Sequence, residues 1–132
     1  MPVVTYDADI TIYSHWKKRN SREESWIRTQ ISGASWYGYQ GAKPSDAGRT
    51  TDDGYEVRVR DWSMGAYVPP DTWNALESPP IDVWTVQIGD VVVKGAIGDS
   101  VTDAQNRKNS FVVLGVFDNR RIALKHLRIE GK

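Results

Sequence analysis

The amino-acid sequence predicts an all-β fold: a small antiparallel β-barrel or sandwich with long projecting loops and at most one or two short helical turns. Three observations lead there. Short segments rich in β-branched and aromatic residues alternate apolar and polar positions at the two-residue period of a strand. The stretches between them are rich in Gly, Pro, Asp and Ser, the residues that turns use. No segment carries a long apolar stripe at helical spacing. A chain of 132 residues is expected to form one domain, 1–132, around a single core.

ADITIY (8–13) alternates, with Ile10 and Ile12 on one face. The basic HWKKRNSREES (15–25) cannot continue it as a buried strand and reads as a solvated connection or brief helical turn. WIRTQIS (26–32) sets Ile27, Thr29 and Ile31 opposite Trp26, Arg28 and Gln30. Gly33 then permits a turn, and ASWYGY (34–39) resumes an aromatic strand. QGAKPSDAGRTTDDG (40–54) has no large apolar residue and reads as a long exposed loop, of a length that is often functional.

YEVRVRD (55–61) is the clearest strand, with Tyr55, Val57 and Val59 on one face and Glu56, Arg58 and Arg60 on the other. A second irregular region, SMGAYVPPDTWNALESPP (63–80), carries two Pro-Pro pairs; Pro70 and Asp71 can open one helical turn there, no further than Leu76. VWTVQIGDVVVKGAI (83–97) reads as two strands joined at Gly89-Asp90. DSVTDAQNRKN (99–109) is helix-compatible but short and polar. SFVVLGVFD (110–118) is almost wholly apolar, as a strand covered on both sides would be. DNRR (118–121) turns the chain, and LKHLRIEG (124–131) returns with Leu127 and Ile129 opposite His126, Arg128 and Glu130. The pattern totals about seven short strands, with no internal repeat.

Seventeen basic and seventeen acidic residues cancel, so no global field drives the protein to DNA or membrane. Locally the balance differs. Arg107 to Lys132 holds seven Lys/Arg and two acids, a net +5; Asp71 to Asp103 holds six acids and one Lys, a net −5. Segments of opposite sign suit a protein that meets copies of itself or charged partners at defined faces. There is no cysteine, which excludes disulfide and thiol chemistry. MPVVTYDAD lacks the basic start and apolar segment of a signal peptide, and a soluble protein outside the secretory route is expected.

The chemistry of an enzyme has few places to sit. His15 and His126 are the only histidines, and neither has a second ligand at metal spacing. No Gly-rich phosphate loop or nucleophile elbow occurs. The adjacent pairs Asp52–Asp53 and Glu23–Glu24 read as solvated charges. No catalytic residue, metal or cofactor is therefore expected. Six tryptophans, Trp16, Trp26, Trp36, Trp62, Trp73 and Trp84, are scattered along the chain, which fits core filling or subunit contact better than a stacking platform. One basic cluster holds Lys17, Lys18, Arg19 and Arg22; another holds Arg107, Lys108, Arg120, Arg121, Lys125 and Arg128. Such clusters serve phosphate contact or the protection of sheet edges.

DITIY, WIRTQISGASW, IGDVVVKG and the ending SFVVLGVFDNRRIALKHLRIEGK together resemble small phage and prophage proteins of Gram-positive hosts, encoded between the capsid and tail genes. The resemblance covers both ends and much of the middle, and is weak over 40–54 and 63–80. It implies a structural protein of the head–tail junction, of the head-closure (stopper) type. Such a protein is a β-barrel with long loops that forms a ring in the virion after assembly in the host cytoplasm. The implied partners are further copies of the chain, a portal or adaptor protein on one side, and a tail terminator or tail tube protein on the other. Packaged double-stranded DNA would be met without sequence specificity, and no membrane. On this reading the 40–54 loop, with Lys43, Arg49, Asp52 and Asp53, is the first candidate to reach the channel. Tyr67, Trp73, Arg107, Lys108, Arg120, Arg121, Lys125 and Arg128 are candidate contacts with subunits or partners. The alternatives are a tail terminator or tail-completion protein, a single-stranded nucleic-acid-binding β-barrel, and a carbohydrate-binding module favoured by the tryptophans alone.

Overall fold

The computed structural model describes residues 8–18, 21–39, 42–45, 48–51, 54–60, 67–80, 82–118 and 126–132. They form strands β1 (Ala8–Lys17), β2 (Glu24–Tyr39), β3 (Ala42–Ser45), β4 (Gly48–Thr51), β5 (Gly54–Arg60), β6 (Val91–Lys94), β7 (Ser110–Asp118) and β8 (His126–Gly131). Two five-residue helices, α1 (Pro70–Asn74) and α2 (Val101–Gln105), interrupt them. Six strands close into an antiparallel barrel in the order β1-β2-β5-β8-β7-β6, with β6 returning to β1. It is built from two three-stranded meanders, β1-β2-β5 and β6-β7-β8, the second folded back so that β8 pairs with β5. Closure leaves the barrel without a free edge. Of barrel and sandwich, the chain forms the barrel.

The interior is filled. Ile10, Ile12, Ile31, Ala34, Val57, Val59, Val92, Phe111, Val113, Leu127 and Ile129 point inward from all six strands and form one core. The alternation read from 8–13, 55–61 and 124–131 selects these residues, because a strand's side chains leave the sheet on alternate faces.

Two bulges reset that alternation. Ala8 pairs with Ala34 and Ile10 with Ile31, so Ser32 and Gly33 together lie opposite Asp9. Gly33 takes φ 73°, a backbone region that costs glycine little. Gly33 is thus a bulge inside one sixteen-residue strand, not a turn between two. The extra residue switches the inward set from Ile31 to Ala34 and Trp36, leaving Tyr37 outside. In β7 a second shift falls between Val113 and Gly115, and moves the inward set from Phe111 and Val113 to Val116.

Three further expectations change. Residues 40–54 are not all loop: β3 and β4 pair in register Ala42 with Thr51 through Ser45 with Gly48, a hairpin in a sheet of its own. Residues 83–88 do not make a strand. Their extended chain has one parallel bridge, Trp84 to Tyr67, and inserts Trp84 and Val86 into the core. The Ser14 hydroxyl donates to the Thr85 carbonyl and ties the segment to β1. Finally, β7 is covered on its inner face only, since Val112, Leu114 and Phe117 stay exposed.

Gly131 shows how closely the barrel seam is packed. A Cβ there would run into the Val112 carbonyl and the Phe111 ring, while Val112 and Lys132 exchange backbone hydrogen bonds across the same seam.

Candidate functional site

The outer surface of the barrel divides into a covered wall and a bare one. On the covered side, β1 and β6 present Thr11, Tyr13, Val91 and Val93 outward, and α2 with the preceding 95–100 segment closes over them. Tyr13, Val91, Val93 and Ala104 make a second small core with Ile97 and Val101. Its polar groups are matched. Thr11 Oγ1 donates to the Gly95 carbonyl and accepts from Ile97 N–H, and Tyr13 Oη donates to the Asp99 carbonyl at 2.7 Å. Arg28 and Gln30 reach from β2 to the carbonyls of Gly98 and Ile97. Ser100 caps α2 by accepting from Asp103 N–H. Burial pushes the Tyr13 phenol above its ordinary pKa.

The more exposed side is the outer face of β7; the outward side chains of β5 and β8 beside it are partly exposed, and Ser35 on β2 is buried. Leu114 is 56% exposed, and Ile88, in the turn that bonds to Val113, is 72% exposed. Beside this apolar strip lies a charged face. Glu56 pairs in register with Glu130, and Arg58 with Arg128. Along each strand the signs alternate, so Arg58 bonds Glu56 at 2.9 Å and Arg128 lies 3.4 Å from Glu130. The Arg128 guanidinium also sits 4.5 Å from the centroid of the Phe117 ring.

Between the two sides, an open groove of about 260 Å³ is lined by His15, Trp26, Asn74, Gln87, Ile88 and Asp90. Asp90 is 2% exposed; its carboxylate accepts from the backbone N–H of His15 at 3.1 Å and of Gln87 at 2.8 Å. Burial raises its pKa to about 6 against the lowering effect of those two hydrogen bonds. This acid therefore staples the 87–90 turn to β1. The His15 ring packs tilted at 51° against Trp26 with centroids 4.9 Å apart and meets Glu24 at 3.0 Å. No group of three or more His, Asp or Glu side chains near enough to hold a metal ion occurs among the described residues. Among them, no helix is long and apolar enough to cross a membrane.

The sequence-derived site residues scatter over these features. Lys43 and Arg49 fall on the β3–β4 hairpin, where Lys43 pairs with Thr50 and Arg49 with Pro44. Asp52 and Asp53, like Arg120, Arg121 and Lys125, lie outside the described residues. Trp73 is no contact residue: it is fully buried, and its Nε1–H donates to the His15 carbonyl at 2.9 Å. Tyr67 is half-buried against Trp84 as part of the barrel's plug. Arg107 is bonded to Asp99 at 2.7 Å, which raises the guanidinium's pKa and holds the carboxyl below its usual range. That pair joins the net-positive segment to the net-negative one within a single chain. Lys108 is exposed, and its carbonyl accepts from Tyr55 Oη. Arg128 belongs to the bare face. The sequence reading missed Asp90, Ile88 and the outward side chains of β7; the Gly-Asp turn was the available signal for Asp90.

Residues 4–132 match the model of a family of unknown function, DUF6751. The chain belongs to that family. No curated protein and no solved structure matches it. The match spans every strand of the barrel and the inserted hairpin, so barrel and hairpin fall within one DUF6751 unit.

Proposed function

We propose that this DUF6751 chain is a virion structural protein of a phage or prophage, a head-closure (stopper-like) connector subunit at the head–tail junction. The observation that carries the reading is the β3–β4 hairpin. It leaves a closed, filled barrel between β2 and β5 and makes a sheet separate from it, with Lys43 and Arg49 among its residues. Among the described residues the barrel interior is packed with apolar side chains, which points to its surfaces for partners. The apolar strip of Ile88, Val112 and Leu114 on one wall is suited to protein contact. In a ring, neighbours meet front to back, and one hairpin per subunit would approach the axis and the packaged DNA without reading its sequence.

The resemblance in the strand segments and in the ending supports the connector reading over a tail terminator or tail-completion protein only through its stopper-like pattern. A single-stranded nucleic-acid barrel has less support. Tyr37 on β2 and Phe117 on β7 are exposed, but β5 and β8 stand between them. Three strands apart in a closed six-stranded barrel, they lie on opposite sides of it and cannot stack successive bases.

Imaging purified particles tests the reading: the expected result is a ring of this chain between portal and tail, and its absence from particles would overturn it. Deleting residues 43–53 separates fold from function. The barrel should fold, and filled heads should lose their DNA; filled heads that stay stable would remove the hairpin's role as plug.

A further inference from the structure

The charges of the bare face are arranged in bands. Reading across the strands, Tyr37, Glu56, Glu130 and Gly115 form one row, and Ser35, Arg58, Arg128 and Phe117 form the next. Each row is of one sign, because Glu56 faces Glu130 and Arg58 faces Arg128 in register. Like charges directly opposite on neighbouring strands repel, and exchanging Arg128 with Glu130 would have avoided it. The same-strand pairs, Arg58 to Glu56 and Arg128 to Glu130, relieve only part of that cost.

The two rows are complementary to themselves. A half-turn about an axis lying along the rows and midway between them lays the acidic row of one copy on the basic row of another. Glu56 then faces Arg58 of the second copy, Glu130 faces Arg128, and both relations hold in reverse, as a two-fold contact requires. We infer that the outer face of β5 and β8 is a self-association surface on which a second copy of this chain docks, acidic pair against basic pair. The contact closes at two copies, so it differs from the front-to-back contact of a ring and does not rest on the connector reading.

Sedimentation measures it directly. The wild-type chain should pass from monomer to dimer at up to about 0.5 mM protein, since a face only two strands wide sits at the weak end of specific contacts. At about 1 M salt the Debye length falls to about 3 Å, and the dimer should dissociate. Two double variants, Arg58→Glu with Arg128→Glu and Glu56→Arg with Glu130→Arg, make the face wholly acidic or wholly basic. Each alone should stay monomeric, and mixing them should give a heterodimer at least about tenfold tighter than either self-association. Circular dichroism establishes that both variants fold; if either does not, the salt response of the wild type decides. A wild type monomeric throughout that range overturns the inference, as does a dimer that survives high salt or persists in both variants.

Discussion

On the β1–β6 side of the barrel the outward residues Thr11, Tyr13, Val91 and Val93 are enclosed by α2 and the 95–100 segment, whereas on the β7 side Val112, Leu114 and Phe117 face solvent. Both sides are rich in apolar and aromatic residues, so composition does not separate them. What separates them is the chain that follows. After β6, Gly95 turns with φ 101° and its N–H bonds the Asp9 carbonyl, bringing the next residues back over β1. No described segment returns over β7 in this way. The covered wall encloses a second small core, and the β7 wall leaves apolar side chains in solvent.

That contrast is open to attack at three points, in order of expected size. Tyr13→Ala removes a ring that is 2% exposed, together with its hydrogen bond to Asp99, from the covered wall. It should cost about 3–5 kcal/mol in urea unfolding followed by circular dichroism. A loss below about 1 kcal/mol would mean that the second core is not structural.

Asp90 comes next, at the boundary between the walls. Its folded pKa of about 6 lies above the ordinary carboxyl value of 3.8, so the folded state holds the proton more tightly. Its contribution to stability is fully present below about pH 4 and is lost as pH rises through about 6. The size is on the order of 3 kcal/mol. Asp99, whose pKa is lowered by Arg107, works in the opposite direction, losing its contribution as pH falls. The informative quantity is therefore the difference between wild type and Asp90→Asn, measured from pH 4 to pH 7. It should change across that window, and a constant difference would show that Asp90 does not titrate there.

Leu114→Ser on the bare wall should have the smallest effect on folding. It should shift unfolding by less than about 0.5 kcal/mol, because the side chain is already half in water. In particles the same substitution should lower incorporation of the chain. A large loss of stability would show that this wall too is part of the core.

Much of the fold was legible because strand periodicity is a strong local signal. It marked Ile10 and Ile12, Val57 and Val59, and Leu127 and Ile129, all of which line the core. It failed where geometry rather than pattern decides. A glycine between two alternating runs reads equally as a turn or a bulge, and at Gly33 pairing with β1 chose the bulge. Trp84 and Val86 alternate like a strand, but they plug the barrel with a single bridge to Tyr67. Trp73, flanked by prolines and polar residues, looked exposed, because no local pattern records that His15 offers its indole a carbonyl. The β3–β4 hairpin has no apolar side to announce it. The charge bands were invisible for a different reason: they exist only in the register between β5 and β8, strands separated by about half of the chain.

On the proposed connector reading, the exposed β7 wall is the docking wall. Oxidative footprinting of the free chain and of the chain in purified particles tests it most directly. Ile88, Leu114 and Phe117 should be labelled in the free chain and strongly protected in the particle, while Tyr13 and Val91 stay protected in both. Equal labelling of Ile88, Leu114 and Phe117 in the two states would contradict the account.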